Sequence, residues 1–283
     1  NHHIIVVEKS THRLYIYSNS DNIPIISADY KVATGKKAGN KLTRGDHRTP
    51  EGIYSITKFI PKNKLIKKYG KKNGQIYGAG AFVLNYPNPI DNLSNKTGSG
   101  IWIHSTNDET RIEKGLDSRG CIVVSNEDLK KISSFIELNR TSVIITQNLN
   151  FLRENTWLQD KTQIKNTISG WLNAWRTEKI NEYINYYSRE LFKDSKKRNY
   201  KKFKRYKKKV FSQKGRPQIN ISMVSILKAE NYAVVTFKQD YISQSINDTG
   251  KKVMYLKKDQ YYNWKIVHES WQKINETTTA YQA

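Results

Sequence analysis

Residues 101–126 read IWIHSTNDETRIEKGLDSRGCIVVSN and hold the only cysteine of a 283-residue chain, with a histidine seventeen positions before it. The apolar triplet Ile101-Trp102-Ile103 reads as a short buried strand that delivers His104 at its end, where side chains meet solvent or substrate. After a polar loop, Ser118-Arg119-Gly120 leads into Cys121-Ile122-Val123-Val124. This is a second short strand whose first residue follows a glycine able to take unusual backbone angles. Two strand ends joined by a loop can bring a thiol and an imidazole within hydrogen-bond reach, the arrangement that yields a thiolate nucleophile at neutral pH. Gly120 would also let its own N–H and that of Cys121 turn toward one point and stabilise a tetrahedral oxyanion. Those parts suffice for acyl transfer. A lone cysteine is also commonly a small buried hydrophobe, so its context has to decide.

The elements that must position this pair follow from the pattern on either side. Residues 4–17 read as two strands around a Lys9-Ser10-Thr11 turn, and residues 23–32 as another strand pair. Ala33-Thr34-Gly35-Lys36-Lys37 reads as a glycine-containing loop without the GxxxxGK[ST] spacing of a phosphate loop. Residues 81–88 are a strand running into a proline-bounded turn that carries Tyr86. Ser125 or Asn126 can cap a helix with Glu127 and Asp128 in its first turn and Leu129, Ile132, Phe135 and Ile136 on its apolar face. Residues 142–146 give one more strand.

Beyond a polar joint at 148–155 the character changes, and Trp157, Ile164, Ile168, Trp171, Leu172, Trp175, Ile180, Tyr183, Ile184 and Tyr187 fall at helical spacing. Residues 193–216 hold thirteen Lys or Arg against the single acid Asp194 and read as a strongly basic amphipathic helix. Three β-rich runs follow, 219–227, 232–243 and 252–271, the last two joined through an Asn247-Asp248-Thr249-Gly250 turn. Helices followed by an antiparallel sheet indicate an α+β unit. The expected organisation is a catalytic domain over 1–148, a linker over 149–156, a binding domain over 157–275 and a tail over 276–283.

At this length the chain can bury two cores without disulfides or metals. A formal charge of +24 favours an anionic partner, whether nucleic acid, anionic lipid or a carboxylate-rich polymer. There is no run of eighteen apolar residues and no signal peptide at Asn1. His2 and His3 lack partner ligands, and no metal or cofactor is expected.

The segment around Cys121 resembles the L,D-transpeptidase (YkuD-type) family, in which a histidine is followed fifteen to twenty residues later by Ser/Thr-x-Gly-Cys-hydrophobic and a nearby asparagine. Here those are His104, Ser118, Gly120, Cys121, Ile122 and Asn126. Arg119 stands where the family often has histidine, which resembles a subgroup acting on cell-wall stem peptides. Residues 45–54 resemble the family's Thr-Pro-x-Gly-hydrophobic segment, and Asn85-Tyr86-Pro87-Asn88 a segment of the same subgroup. The resemblance implies a mostly β, sandwich-like catalytic domain with a few helices, Cys121 as nucleophile, His104 as base, and Ser105 orienting the imidazole through its backbone carbonyl. It leaves Arg119, Ser118 and Tyr86 as candidate substrate contacts, with Arg119 reading a terminal carboxylate.

The C-terminal half, with Trp171 to Trp175, Tyr183 to Tyr187 and Trp264 to Val267, resembles a nuclear-transport-factor-2-like domain. Such cones often bind a ligand or dimerise, which implies a binding module and a homodimer through this half. The implied activity is L,D-carboxypeptidase trimming of a tetrapeptide stem to a tripeptide in the periplasm of a Gram-negative bacterium, serving cell-wall remodelling and cell shape. The alternative within the family is L,D-transpeptidation that crosslinks stems. An anionic cell-wall polymer is a further expected partner. Two readings of another class remain: a wall-anchoring protein, and a nucleic-acid binder built on the basic helix, which leaves Cys121 unexplained.

Overall fold

The computed structural model describes residues 3–20, 23–150, 154–213, 216–244 and 246–274. His2, residues 151–153 of the expected linker, residues 214–215 of the basic segment and the 276–283 tail lie outside the described residues. The chain divides into two compact units, within Asn1–Asn150 and Phe151–Thr278.

The first unit is built on an eight-stranded mixed sheet. Its strands are β1 (Ile4–Glu8), β2 (Arg13–Ser20), β3 (Ile23–Lys31), β5 (Gly52–Pro61), β6 (Gly80–Leu84), β7 (Trp102–His104), β9 (Ile122–Val123) and β10 (Ser142–Thr146). The spatial order is β3-β2-β1-β10-β5-β6-β7-β9, and a small parallel pair, β4 (Thr34–Gly35) with β8 (Leu116–Ser118), lies apart from it. Alternation sets the register: Leu14 and Ile16 of β2 are fully buried while the alternating Tyr15 and Tyr17 are not. The buried faces of Ile5, Val7, Ile103, Ile122, Val143 and Ile145 meet Leu129 and Ile132 of helix α4 (Asn126–Ser133) in one core. The Ser125 hydroxyl caps α4 by accepting from the Asp128 N–H at 2.9 Å.

Three further helices punctuate the sheet. Helix α1 (Lys62–Gly74) is interrupted at Gly70, whose φ of 78° is left-handed, and a 3₁₀ turn at Gln75–Tyr77 follows it. Helix α2 (Pro89–Leu93) starts from a capping box made by Asn88 and Asp91, and α3 (Thr110–Glu113) is a single turn. Residues 23–32 form one strand rather than a pair, because β3 bulges where Ile16 faces Ala28 and Tyr17 faces Ile26. Thr34–Gly35, expected as loop, pairs with β8.

The second unit packs helices α5 (Glu154–Arg176), α6 (Ile180–Asn185) and α7 (Tyr200–Phe211) against an antiparallel sheet of β11 (Gln218–Lys228), β12 (Ala233–Ile242), β13 (Asn247–Lys258) and β14 (Trp264–Lys273). The aromatic positions read at helical spacing, Trp171, Trp175, Tyr183 and Tyr187, form the core together with Phe192, Phe203 and Phe237. The basic helix is shorter than its charge run. It starts at its Asn199 cap, because Asp194 gathers the preceding turn by accepting from the N–H groups of Lys196 and Arg198 and from Arg198 Nε. Residues 247–250 are strand, not turn: Gly250 lies under Trp271, where a Cβ would fall 2.4 Å from the indole. The reversal inside 252–271 instead falls between Lys258 and Trp264.

Candidate active site

His104 closes β7, and β9 runs parallel beside it with Ile103 opposite Ile122 and His104 opposite Val123. Ile103 and Ile122 are fully buried in the main core. Alternation therefore turns Trp102, His104 and Cys121 to the other face of the sheet. There Cys121 packs with Leu65, Trp102, Tyr69 and Tyr77 under helix α1. The two strands thus put thiol and imidazole on one face, two residues apart in register.

His104 is 2 % exposed, buried rather than solvent-facing, and its Nδ1 lies 2.6 Å from the Ser105 carbonyl oxygen. A carbonyl can only accept, so the proton sits on Nδ1 and Nε2 keeps its lone pair for base chemistry. Tyr77 meets the imidazole edge-on at 5.0 Å and the Trp102 ring at 5.1 Å. Burial pushes the imidazole down to about 4 against the opposing pull of the Ser105 bond. Burial likewise pushes the Cys121 thiol up to about 11, although a Trp102 backbone bond, Arg111 and Lys41 favour the thiolate. The thiol donates to the Gly100 carbonyl at 3.4 Å. The free site therefore rests as a neutral thiol beside a neutral imidazole, not as the thiolate that the spacing suggests.

Gly120 has a φ of 119° in the turn before Cys121, and a Cβ there would fall 2.6 Å from the Arg48 carbonyl. Its N–H is not free for an oxyanion. It donates to Ser118 Oγ at 3.0 Å, while the Ser118 hydroxyl donates to the Cys121 carbonyl at 2.6 Å. The Cys121 N–H is left as the remaining backbone donor of the expected two. Ser118 is 3 % exposed with its hydroxyl spent inside this clasp, so the structure gives it a turn-holding place instead of a substrate contact. Tyr86 is likewise a core residue at 5 % exposure, its hydroxyl donating to the Thr97 carbonyl at 3.1 Å. Arg119 stays exposed.

Contacts that the sequence does not announce complete the frame, and among their residues Arg111 was passed over altogether. Thr49 Oγ1 accepts from the Gly35 N–H at 2.9 Å and donates to the Gly120 carbonyl at 3.1 Å, so the Thr-Pro segment pins the turn that leads into Cys121. The Ser105 hydroxyl accepts from the Ala79 N–H at 2.7 Å. Asn126 reinforces this: Oδ1 accepts from the same N–H at 2.9 Å, and Nδ2 donates to the Thr106 carbonyl at 2.9 Å. Arg111 is bonded to Asp117 at 2.6 Å and to Thr106 Oγ1 at 3.3 Å, and its charge reaches both His104 and Cys121. Its place on a one-turn helix inside a polar loop carries no pattern that could have marked it.

The second unit holds a buried charge cluster of its own. Lys252 pairs with Glu269 at 2.9 Å, Tyr187 donates to that carboxylate at 2.9 Å, and Lys207 lies over Trp175, Tyr183 and Phe203. Burial drives Lys207 down to about 8. The described residues contain no group of three or more His, Cys, Asp or Glu arranged to hold a metal.

A sheet whose adjacent strands present a cysteine and a tautomer-fixed histidine on one face is followed by a compact α+β unit. The L,D-transpeptidase catalytic domain (YkuD) model matches residues 2–145, and the Cds6 C-terminal NTF2-like domain model matches residues 163–270. The chain belongs to the YkuD family of L,D-transpeptidase catalytic domains and carries a C-terminal NTF2-like domain. It is an L,D-transpeptidase-family enzyme, and that family acts on peptidoglycan stem peptides. Among solved structures, Bd1075 of Bdellovibrio bacteriovorus is similar at 29 % identity and a TM-score of 0.79, over 98 % of this chain and 94 % of that one. The helical cell shape determining protein Pgp2 of Campylobacter jejuni is similar at 27 % identity and a TM-score of 0.73, over 95 % of this chain and 91 % of that one. No curated protein matches by sequence.

Proposed function

We propose that the chain is a periplasmic L,D-carboxypeptidase that trims the tetrapeptide stem of peptidoglycan to a tripeptide and so takes part in setting cell shape. The observation that carries this reading is the likeness, through both domains, to a helical cell shape determining protein. Nε2 of His104 takes the Cys121 proton as the sulfur attacks the carbonyl that precedes the terminal D-alanine. The C–N bond then breaks, the imidazolium returns the proton to the departing amine, and D-alanine leaves a thioester on Cys121. Water, deprotonated by the same Nε2, releases the tripeptide and restores the thiol. An amine from a second stem in place of water would make a crosslink, which is the transpeptidase alternative. The C-terminal unit serves as a binding module. Its buried Lys207 and Lys252, with Glu269 and Asp194 acting on Lys207, form a charged cluster suited to a polar or anionic ligand.

Mass spectrometry of purified muropeptides incubated with the protein tests the assignment. Loss of one D-alanine from tetrapeptides, abolished by Cys121→Ala, is the expected result. Crosslinked dimers without tripeptide would transfer the reading to transpeptidation, and no change in any muropeptide would remove both.

A further inference from the structure

Beside the shelf that holds His104 lies a cavity of about 550 Å³, lined by Lys62, Gln75, Gly78, Ala79, Asn107 and Asn126. Its inner wall is rigid for a stated reason. A Cβ on Gly78 would fall 2.4 Å from Ser105 Oγ, 2.5 Å from Asn126 Oδ1 and 2.7 Å from the Thr106 N, so the turn is pressed flat against the segment following the histidine. Ser105 and Asn126 then tie the next residue down through the Ala79 N–H. Ser105 is also the residue whose carbonyl fixes the His104 tautomer, so the cavity shares its wall with the support of the base.

The lining has a definite chemistry. Lys62 is exposed and has no ion pair or side-chain hydrogen bond among the described residues, and the side chains of Gln75 and Asn107 are likewise uncommitted. Its own segment is basic, with seven lysines and no acid between Glu51 and Asp91. Asn126 has both its polar atoms spent in the wall. What remains is one free ammonium with two free carboxamides, a set that matches a carboxylate attached to a peptide amide. A peptide residue spans about 3.5 Å, so a stem with its scissile carbonyl at Cys121 carries its neighbouring carboxylates within one or two residues of the reacting bond.

We infer that this cavity is a substrate subsite in which Lys62, assisted by Gln75 and Asn107, binds a carboxylate of the peptide held at Cys121 and His104. The inference rests on the stem-peptide reading above and assigns it a specificity residue. The carboxylate has two sources, the terminal residue that leaves or a side carboxylate retained on the acyl-enzyme, and amidating each separately distinguishes them.

The test measures binding of intact tetrapeptide to Cys121→Ala, with and without Lys62→Met, for the parent peptide and for peptides amidated at one carboxylate at a time. One amidation should weaken binding about fivefold when Lys62 is present and have almost no effect in the Lys62→Met background, as expected for a charge pair near the surface. Lys62→Glu should weaken the parent further, and because Lys62 is a surface residue neither change threatens the fold. If every amidation acts equally in both backgrounds, the inference is overturned. If peptides bind through Lys62 but the unmutated enzyme never releases a terminal residue, the trimming reading falls and the subsite stands. Absence of any peptide binding removes both.

Discussion

The neutral resting state of the Cys121–His104 pair has a direct consequence for thiol reactivity. Burial holds the thiol at about 11, two units above the ordinary value of 9.0, and the imidazole at about 4. At pH 7 only about one molecule in ten thousand carries the thiolate, about a hundredfold less than an unperturbed cysteine. Burial opposes both charged forms, the thiolate and the imidazolium, so both shifts work against moving the proton from sulfur to Nε2 before substrate binds. Alkylation by iodoacetamide as a function of pH reads this out. The rate should climb about tenfold per pH unit from 7 to 10 with no plateau, and at pH 7 should fall about a hundredfold below that of a cysteine peptide. His104→Ala should leave alkylation at pH 7 almost unchanged while removing turnover, because the imidazole acts on the bound reaction and not on the resting thiol. A plateau below pH 8, or a large loss of alkylation in His104→Ala, would refute the neutral pair.

Four further outcomes follow from the packing. The folded value of His104 lies below the unfolded one, so between pH 6.5 and about 4 the unfolded chain binds the proton that the folded chain refuses. Denaturant unfolding should show about 3 kcal/mol lost across that window, and His104→Gln should abolish this part of the loss. In the second unit, Glu269→Gln should cost about 3–5 kcal/mol because it strands two buried lysines. Lys207→Met should stabilise by up to about 3 kcal/mol at pH 7, a gain that fades between pH 8 and 10.5 as the native lysine loses its charge in both states; a constant gain would contradict the depressed value. Gly78→Ala should destabilise the first domain and reduce turnover together, since it forces both a strained φ of 54° and close contacts on Ser105 and Asn126; unfolding and kinetics at normal levels would show that the turn has room to move.

Much of the frame is legible in the sequence wherever burial alternates cleanly. Leu14 and Ile16 mark β2, because one-sided burial leaves a period of two, whereas β7 and β9 are buried on both faces and show in the sequence as short apolar runs. Legibility fails where a tertiary demand overrides local pattern. The bulge opposite Ile16 and Tyr17 inverts the alternation of β3 midway and makes one strand read as two. Asn247-Asp248-Thr249-Gly250 has turn composition, yet the glycine serves the Trp271 ring above it. Helix α1 has no cap side chain, no acid in its first turn and a glycine break, so nothing local announces it. At the site, Cys121, His104 and the Ser105 carbonyl could be read from spacing and resemblance. The Ser118 clasp on the Gly120 N–H, the pin from Thr49 and the field of Arg111 depend on neighbours brought together only by folding.

The place of β10 bears on how the domain is made. Within the eight-stranded sheet the ribbon β3-β2-β1 and the site-bearing half β5-β6-β7-β9 are joined through Ser142–Thr146, which pairs parallel with β1 on one side and antiparallel with β5 on the other. During synthesis Ile4–Glu8 leaves the ribosome long before its partner exists, and at 5–20 residues per second the wait is on the order of ten seconds. Through that interval an apolar, fully unpaired strand edge is open to wrong pairing. A nascent chain therefore carries every residue of the acyl-transfer site before it owns the strand that welds the two halves, and a chaperone that shields Ile4–Glu8 should raise the yield of active enzyme more than one that protects the second domain.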